Sequence, residues 1–325
     1  MPGKSSLEQK LAEISRIGSV PEPEALPALR EALRSPHNAL AARAAALAAG
    51  RALTALIPDL LAAFDRFMED PLRTDKGCRA KRAIVEALNA LAHTDPAPYL
   101  RGIRHVQREP VFGGRADTAD ALRAQCAFAL VRLGYRDVLF ELVTLLADRE
   151  APARRAAVQA LAHIEADASE LLLRHKALAG DADPDVTGEC LSGLMKLAPA
   201  RSAEFVARFL AAEDRITAES AALALGNSGY AGAFDLLRAR WEQSIDPAFK
   251  QMLLLPMALT RRDEAVAFLL ELIATAHTAT AAKAVDALRI YGADPRRREA
   301  VERAVSERDE SAITNVFEKR FEAER

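Results

Sequence analysis

The sequence predicts an all-α protein, an α-solenoid or superhelix of about nine antiparallel helix pairs, and three observations predict it. The first is composition. Of 325 residues, 69 are Ala and 43 are Leu, the types at the top of the helix-propensity scale. Only 17 are aromatic, which argues against a β-sandwich. The second is a repeat. A small-residue-rich helix core recurs at Leu47, Leu88, Leu130, Leu161, Leu194, Leu225, Leu259, Leu288 and Phe317, at intervals of 29 to 42 residues. Periods of this size signal helical arrays. The third is punctuation. Ser35-Pro36, Asp70-Pro71, Asp95-Pro96, Asp183-Pro184, Asp246-Pro247 and Asp294-Pro295 each join an N-cap residue to a proline. Proline is tolerated at the first helical position because the N–H it lacks has no partner there.

The elements follow in order. A short helix at 6–17 caps the start. Pairs are then expected at about 24–49, 54–92, 96–134, 137–164, 167–197, 199–228, 230–260, 263–292 and 295–321. Within 137–164, Val138, Leu139, Leu142, Val143, Leu145 and Leu146 form the first stripe, and Ala157, Val158, Leu161 and Ile164 form the second at helical spacing. Gly50, Gly134, Gly229 and Gly292 fall just past a second helix, where a left-handed residue costs glycine least. Pro256 falls inside a helical run and is expected to bend it. The whole chain, 1–325, reads as one domain: a leader and cap over 1–23, repeats over 24–292, and a capping repeat over 293–325. There Ile313, Val316, Phe317 and Phe321 share an apolar face. No strand is expected.

Charge and cysteine bound the function. The formal charge is −2, from 44 basic and 46 acidic residues, which argues against a globally basic nucleic-acid binder. The N-terminus lacks an apolar signal core and no run is long enough to span a bilayer. Cys78, Cys126 and Cys190 lie 48 and 64 residues apart in Ala/Leu-rich runs, which reads as buried free thiols in a reducing compartment. A cytoplasmic protein with no membrane contact is the expectation.

Asp148, followed by Ala151-Pro152-Ala153-Arg154-Arg155-Ala156-Ala157-Val158-Gln159-Ala160-Leu161, resembles the HEAT repeat family in the short form of the phycobilin lyase HEAT-like repeats. Asp120-Ala121-Leu122-Arg123 leading into Ala129-Leu130 resembles it too. The resemblance covers almost the whole chain and implies second helices lining a concave side. With Leu161 inward, the lining positions are Gln159 and His163, and the same phase elsewhere gives Phe128 and Arg132, then Leu223, then Met257. Phe128, Leu223 and Met257 are apolar exceptions in a mixed polar lining, as a groove for a peptide or partner helix would show.

The two longest intervals are adjacent, with their excess at 70–77 and 109–119. Insertions at equivalent places in successive repeats share one edge. Residues 71–115 carry nine basic residues, Arg73, Lys76 and Arg104 among them, against four acidic ones. Phe112 beside Gly113-Gly114 and Arg115 adds an aromatic anchor on a flexible loop. Together these suggest an edge for an acidic partner. The chemistry of enzymes is not written here. The six histidines are scattered, no Cys-x-x-Cys or His-Glu-x-x-His occurs, and no nucleophile motif selects a catalytic residue. The expectation is a non-catalytic scaffold or adaptor binding a protein or peptide, with no cofactor and no metal. The resemblance leaves two alternatives: a lyase- or isomerase-like subunit acting on a bilin, or a nucleic-acid binder like the HEAT-like DNA glycosylases.

Overall fold

The structure, a computed structural model, describes residues 7–322. The first six residues of the expected leader, and 323–325 of the expected cap, lie outside the described residues. Contacts divide the chain into two compact units, one ending at Ala160 and the other beginning at Leu161.

The first unit opens with α1 (Leu7–Arg16), then pairs α2 (Glu22–Arg34) with α3 (Asn38–Gly50). Next come α4 (Ile57–Glu69), a single turn α5 (Pro71–Thr74), and α6 (Arg79–Ala90). After α7 (Ala97–Ile103) two strands intervene, β1 (Arg108–Val111) and β2 (Gly114–Asp117), before α8 (Asp120–Arg132). The pair α9 (Val138–Leu146) and α10 (Ala151–Leu161) closes the unit. Second helices stack in series, α3 on α6 and α6 on α8, while α2 packs on α4.

The second unit contains α11 (Asp167–Ala179) with α12 (Pro184–Leu197), α13 (Pro199–Ala207) with α14 (Arg215–Asn227), and α15 (Ala233–Gln243) with α16 (Pro247–Leu259). Then come α17 (Asp263–Thr275) with α18 (Thr278–Leu288), and α19 (Pro295–Arg308) with α20 (Ser311–Phe317). Here too the second helices α12, α14, α16, α18 and α20 stack in order. The fold is therefore an all-α solenoid of helix pairs, and each expected pair is present. Ile313, Phe317 and Phe321 are buried at the end of the stack, with the two phenylalanine rings stacked 4.8 Å apart.

Several helices begin where a side-chain oxygen holds their free amides. Asp183 accepts from Asp185 N, Asp246 from Ala248 N, and Asp294 from Arg296 N and Arg297 N. Asp95 accepts from Ala97 N and Ser35 from the His37 amide, whereas Asp70 makes no side-chain cap. Helix ends depart further from expectation. Gly134 and Gly229 take φ of +62° and +67°, but Gly50 and Gly292 do not. After α3, α6 and α16 the left-handed position falls to Ala52, Ala92 and Arg261, each at a cost of about 1–2 kcal/mol. Small residues elsewhere permit close helix approach. Gly102 leaves room for the Cys126 sulfur, and Gly226 lies against the backbone of Pro256, through which α16 continues.

First helices are laced to one another by arginine–carboxylate pairs: Arg30 to Asp59 and Arg101 to Asp65 in the first unit, Arg201 to Asp167 and Glu170 and Arg297 to Asp263 in the second. Most are exposed and contribute about 1 kcal/mol or less each. The stack is held chiefly by buried Ala, Leu and Val, since one pair cannot bury its own stripe.

A Cβ at Gly226 would lie 3.0 Å from the Pro256 carbonyl carbon, with the oxygen nearer still. Backbone cannot swing aside as a side chain can. Gly226→Ala is therefore expected to destabilise by about 1–3 kcal/mol, the usual cost of overpacking. Chemical denaturation checks this, and an unchanged midpoint would mean that α14 and α16 are not in that contact.

Candidate partner-binding edge

The excess residues of the two long repeats form one structure on the first unit, and its base is polar and buried. Asp75, at the first insertion, is completely buried. Its carboxylate accepts from Ala80 N and Lys81 N and pairs with Lys81 Nζ at 2.9 Å. Lys81, also fully buried, reaches the Phe67 carbonyl with the same ammonium. Asn38 closes the shell from α3, donating to Asp75 and to the Lys76 carbonyl. An ion pair in such a place is tolerable only because nearly every lone pair and proton is used; removing one partner of a buried pair costs about 3–5 kcal/mol.

The second insertion is a β-hairpin, which corrects the expectation of a flexible, strandless loop. β1 and β2 pair antiparallel, with Val111 opposite Gly114 and Arg108 opposite Asp117. Only Phe112 and Gly113 remain for the turn, and Gly113 supplies its positive φ of +87°, a value that a side chain strains to adopt. The Val, Pro and Arg of β1 are compatible with a short extended segment, but four-residue strands carry too little periodicity to be read from sequence.

The hairpin is tied to the first insertion through two side chains. Gln107 Nε2 donates to the Asp75 carbonyl at 2.7 Å and to Glu109 Oε1 at 2.6 Å. The same Glu109 oxygen accepts from Gly77 N at 2.7 Å and Thr118 Oγ1 at 2.9 Å. Burial pushes the Glu109 carboxyl up, but these donors outweigh it and hold its pKa below the usual range. Behind the hairpin, Asp117 accepts from the amides of Gln107 and Ala119 and from Arg123 Nη1 at 2.8 Å. Arg123, 2% exposed, also donates to the His105 carbonyl and to Asp148 Oδ1. Its Nε lies 2.7 Å from Asp148 Oδ2 but off the hydrogen-bonding direction, so that contact is ionic.

This arrangement sorts the charges. Three of the four acids of the insertions, Asp75, Glu109 and Asp117, point inward, and Asp70 stays exposed. Lys76, Arg79, Arg82, Arg108 and Arg115 are exposed and hold no ion pair among the described residues, and Arg73 sits 3.6 Å from Asp70. Not every predicted cation belongs to the edge. Lys81 is interior, and Arg104 is engaged by Glu141 of α9 through both carboxylate oxygens. At the hairpin tip Phe112 is fully exposed, and Val111 beside it is half exposed. Leu72 and Val106, also about half exposed, flank the point where Gln107 meets the Pro71 and Asp75 carbonyls.

The residues expected along a concave lining fall partly in the first unit and partly in the second. Phe128 is half-buried, and exposed Arg132 is held by Asn89 Oδ1 and the His93 carbonyl. Gln159 is half-buried in the first unit, and His163 is exposed in the second. Leu223 joins Ser192, Lys196 and Asn227 in a groove of about 370 Å³ between α12 and α14. Met257 is fully buried, which corrects its assignment to the lining. In α16 the inward position is Met257 itself rather than Leu259, so Leu255 and Leu259 are the partly open ones. Gln107, Asp117, Arg123 and Asp148 were not singled out as site residues, although the last two sit in the segments that carry the repeat resemblance.

The three cysteines are buried and free, and burial pushes the Cys78 and Cys190 thiols up to about 12, far from nucleophilic use. Among the described residues no three His, Cys, Asp or Glu side chains converge as a metal site requires, and no helix is long and apolar enough to cross a membrane.

No protein-family model matches the chain, and no curated protein matches its sequence. Solved structures do resemble it. The karyopherin Kap121p is 14% identical with a TM-score of 0.50, over 96% of this chain and 43% of that one. An engineered protein is 17% identical with a TM-score of 0.42, over 99% and 96%. The complex of CpcE and CpcF of phycocyanin lyase from Nostoc sp. PCC7120 gives 15%, a TM-score of 0.36, and 76% and 91%. The first likeness supports the helical solenoid fold and says nothing of activity; the other two, below 0.5, support no inference.

Burial pushes the Asp117 carboxyl up, but the Ala119 and Gln107 amides and the Arg123 charge together hold its pKa below the usual value. A depressed folded pKa stabilises above the unfolded value, about 3.9, and that stability is lost as pH falls through the folded value. Asp117→Asn is therefore expected to lower stability at neutral pH and to flatten the acid limb below about pH 4. Urea denaturation across pH checks it. An acid limb as steep as in the parent would show that Asp117 carries none of it.

Proposed function

We propose that the chain is a non-catalytic scaffold or adaptor, cytoplasmic, whose protein partner docks on the hairpin edge of the first unit. The observation that carries this reading is the state of Phe112. A large apolar ring stands fully exposed on a strand pair whose base is locked by buried hydrogen bonds. Keeping an aromatic ring in water on an ordered support is costly for folding and favourable for binding, because little entropy remains to be lost on contact. Aromatic anchors flanked by arginine are typical of the energetic centres of interfaces. The surplus of exposed, unpaired cations beside it favours an acidic partner and a fast, salt-dependent encounter.

No particular residue favours a bilin-directed activity. For nucleic acid, Phe112 is the one exposed aromatic ring of this edge among the described residues, too few to stack successive bases.

A photo-crosslinking phenylalanine analogue at position 112 tests the reading in the native cell. Phe140, 75% exposed on α9, is the control position. A protein adduct is expected at 112 and not at 140, and its yield should fall as salt rises. Phe112→Ala with Arg115→Ala should leave the melting temperature unchanged and abolish recovery of that protein, because loop tips contribute little to a stacked array. Equal adducts at both positions, or a double variant that melts early, would contradict the assignment.

A further inference from the structure

The hairpin has two outer edges, and the structure distinguishes them. Val111 and Gly114 close a two-residue turn, and the Thr118 amide donates to the Gln107 carbonyl at 3.0 Å. In an antiparallel pair the bonded positions alternate, so Gln107, Glu109 and Val111 turn their backbone groups toward β2. Arg108 and Pro110 turn theirs outward, and on β2 so do Arg115 and Asp117. The outer edge of β1 is thus interrupted by Pro110, which has no N–H to offer. The outer edge of β2 keeps an amide and a carbonyl at both outward positions, and Arg115 is exposed. Natural proteins usually blunt such an edge; here only the side facing away from β2 is blunted.

We infer that the outer edge of β2 receives an extended acidic segment of the partner protein as a third strand. The inference rests on reading the hairpin edge as protein-binding and adds the mode of recognition. Main-chain hydrogen bonds to Arg115 and Asp117 supply affinity, as in strand addition to other open sheets. Side chains supply the charge preference. Arg108 and Arg115 lie on the same face of the hairpin, diagonal to one another across the strands, and neither holds an ion pair among the described residues. A carboxylate on the added strand opposite Arg115 makes a favourable cross-strand pair.

The probe is a capped peptide of alternating Glu and Val, about eight residues long, compared with the same peptide N-methylated at the residues that would donate to β2. Binding is measured by fluorescence anisotropy, and the Arg115 amide is followed by hydrogen exchange. Strand addition predicts that N-methylation weakens binding about tenfold or more, as loss of two hydrogen bonds implies. It also predicts that the peptide slows exchange of the Arg115 amide but not of Ala116, which already donates to β1. Equal binding of the two peptides, or an unaltered Arg115 amide, overturns strand addition. Failure of the acidic peptide to bind, with a protein still captured at position 112, overturns it too and leaves the edge reading standing. A single-stranded oligothymidylate that binds as tightly overturns the choice of a protein partner.

Discussion

A guanidinium is charged at any pH where this protein folds, so burying Arg123 obliges the chain to bring carboxylates to it. Two arrive from different places: Asp117 from the end of the hairpin and Asp148 from the head of the next repeat. Burial pulls the Arg123 pKa down, and Asp148 and Asp117 more than restore it. That obligation gives the second insertion its conformation. With Asp117 fixed, its other lone pairs capture the Gln107 and Ala119 amides, which sets both ends of the hairpin. Gln107 then reaches Asp75, and Asp75 orders the first insertion around Lys81. A chain of buried polar contacts therefore runs from one repeat into the next two and leaves the tip, with Phe112, in water.

The same logic explains why the edge is basic although the protein as a whole is not. Hydrogen-bonding demand in the interior is met by acids, because backbone amides at turns and helix starts need acceptors. Asp75, Glu109 and Asp117 are drawn inward for that purpose. Lys81 and Arg123 join them as buried counter-charges, and the remaining cations of the edge, Lys76, Arg79, Arg82, Arg108 and Arg115, stay outside. A surface charge patch arises here from sorting rather than from composition alone.

Much of this was legible in the sequence, and the limits are physical. Helix pairs declared themselves through propensity, period and Asp-Pro caps, all local properties. Phe112 and Arg115 stood out because an aromatic between basic residues and two glycines has no obvious core to enter. The hairpin was hidden because its strands are short and held by side chains from other elements. Lys81 looked like one more surface cation; only the arrival of Asp75 and Phe67 around it made it interior. Met257 was misplaced because a helix phase carried from repeat to repeat slips by two residues across a longer interval. Glycine at helix ends was half right: Gly134 and Gly229 are left-handed, yet Ala52, Ala92 and Arg261 show that packing can impose the same conformation on other residues.

The two insertions form one ordered body rather than two loops in proximity. The Gly77 amide tests it most directly, because its partner is a carboxylate 32 residues away, in the other insertion. Native-state hydrogen exchange should show Gly77 and Thr118 protected with the same opening free energy, rising and falling together as denaturant is added. Exchange of Gly77 at the rate of an open loop, with Thr118 still protected, would show that the hairpin stands alone and that the two insertions are separate loops.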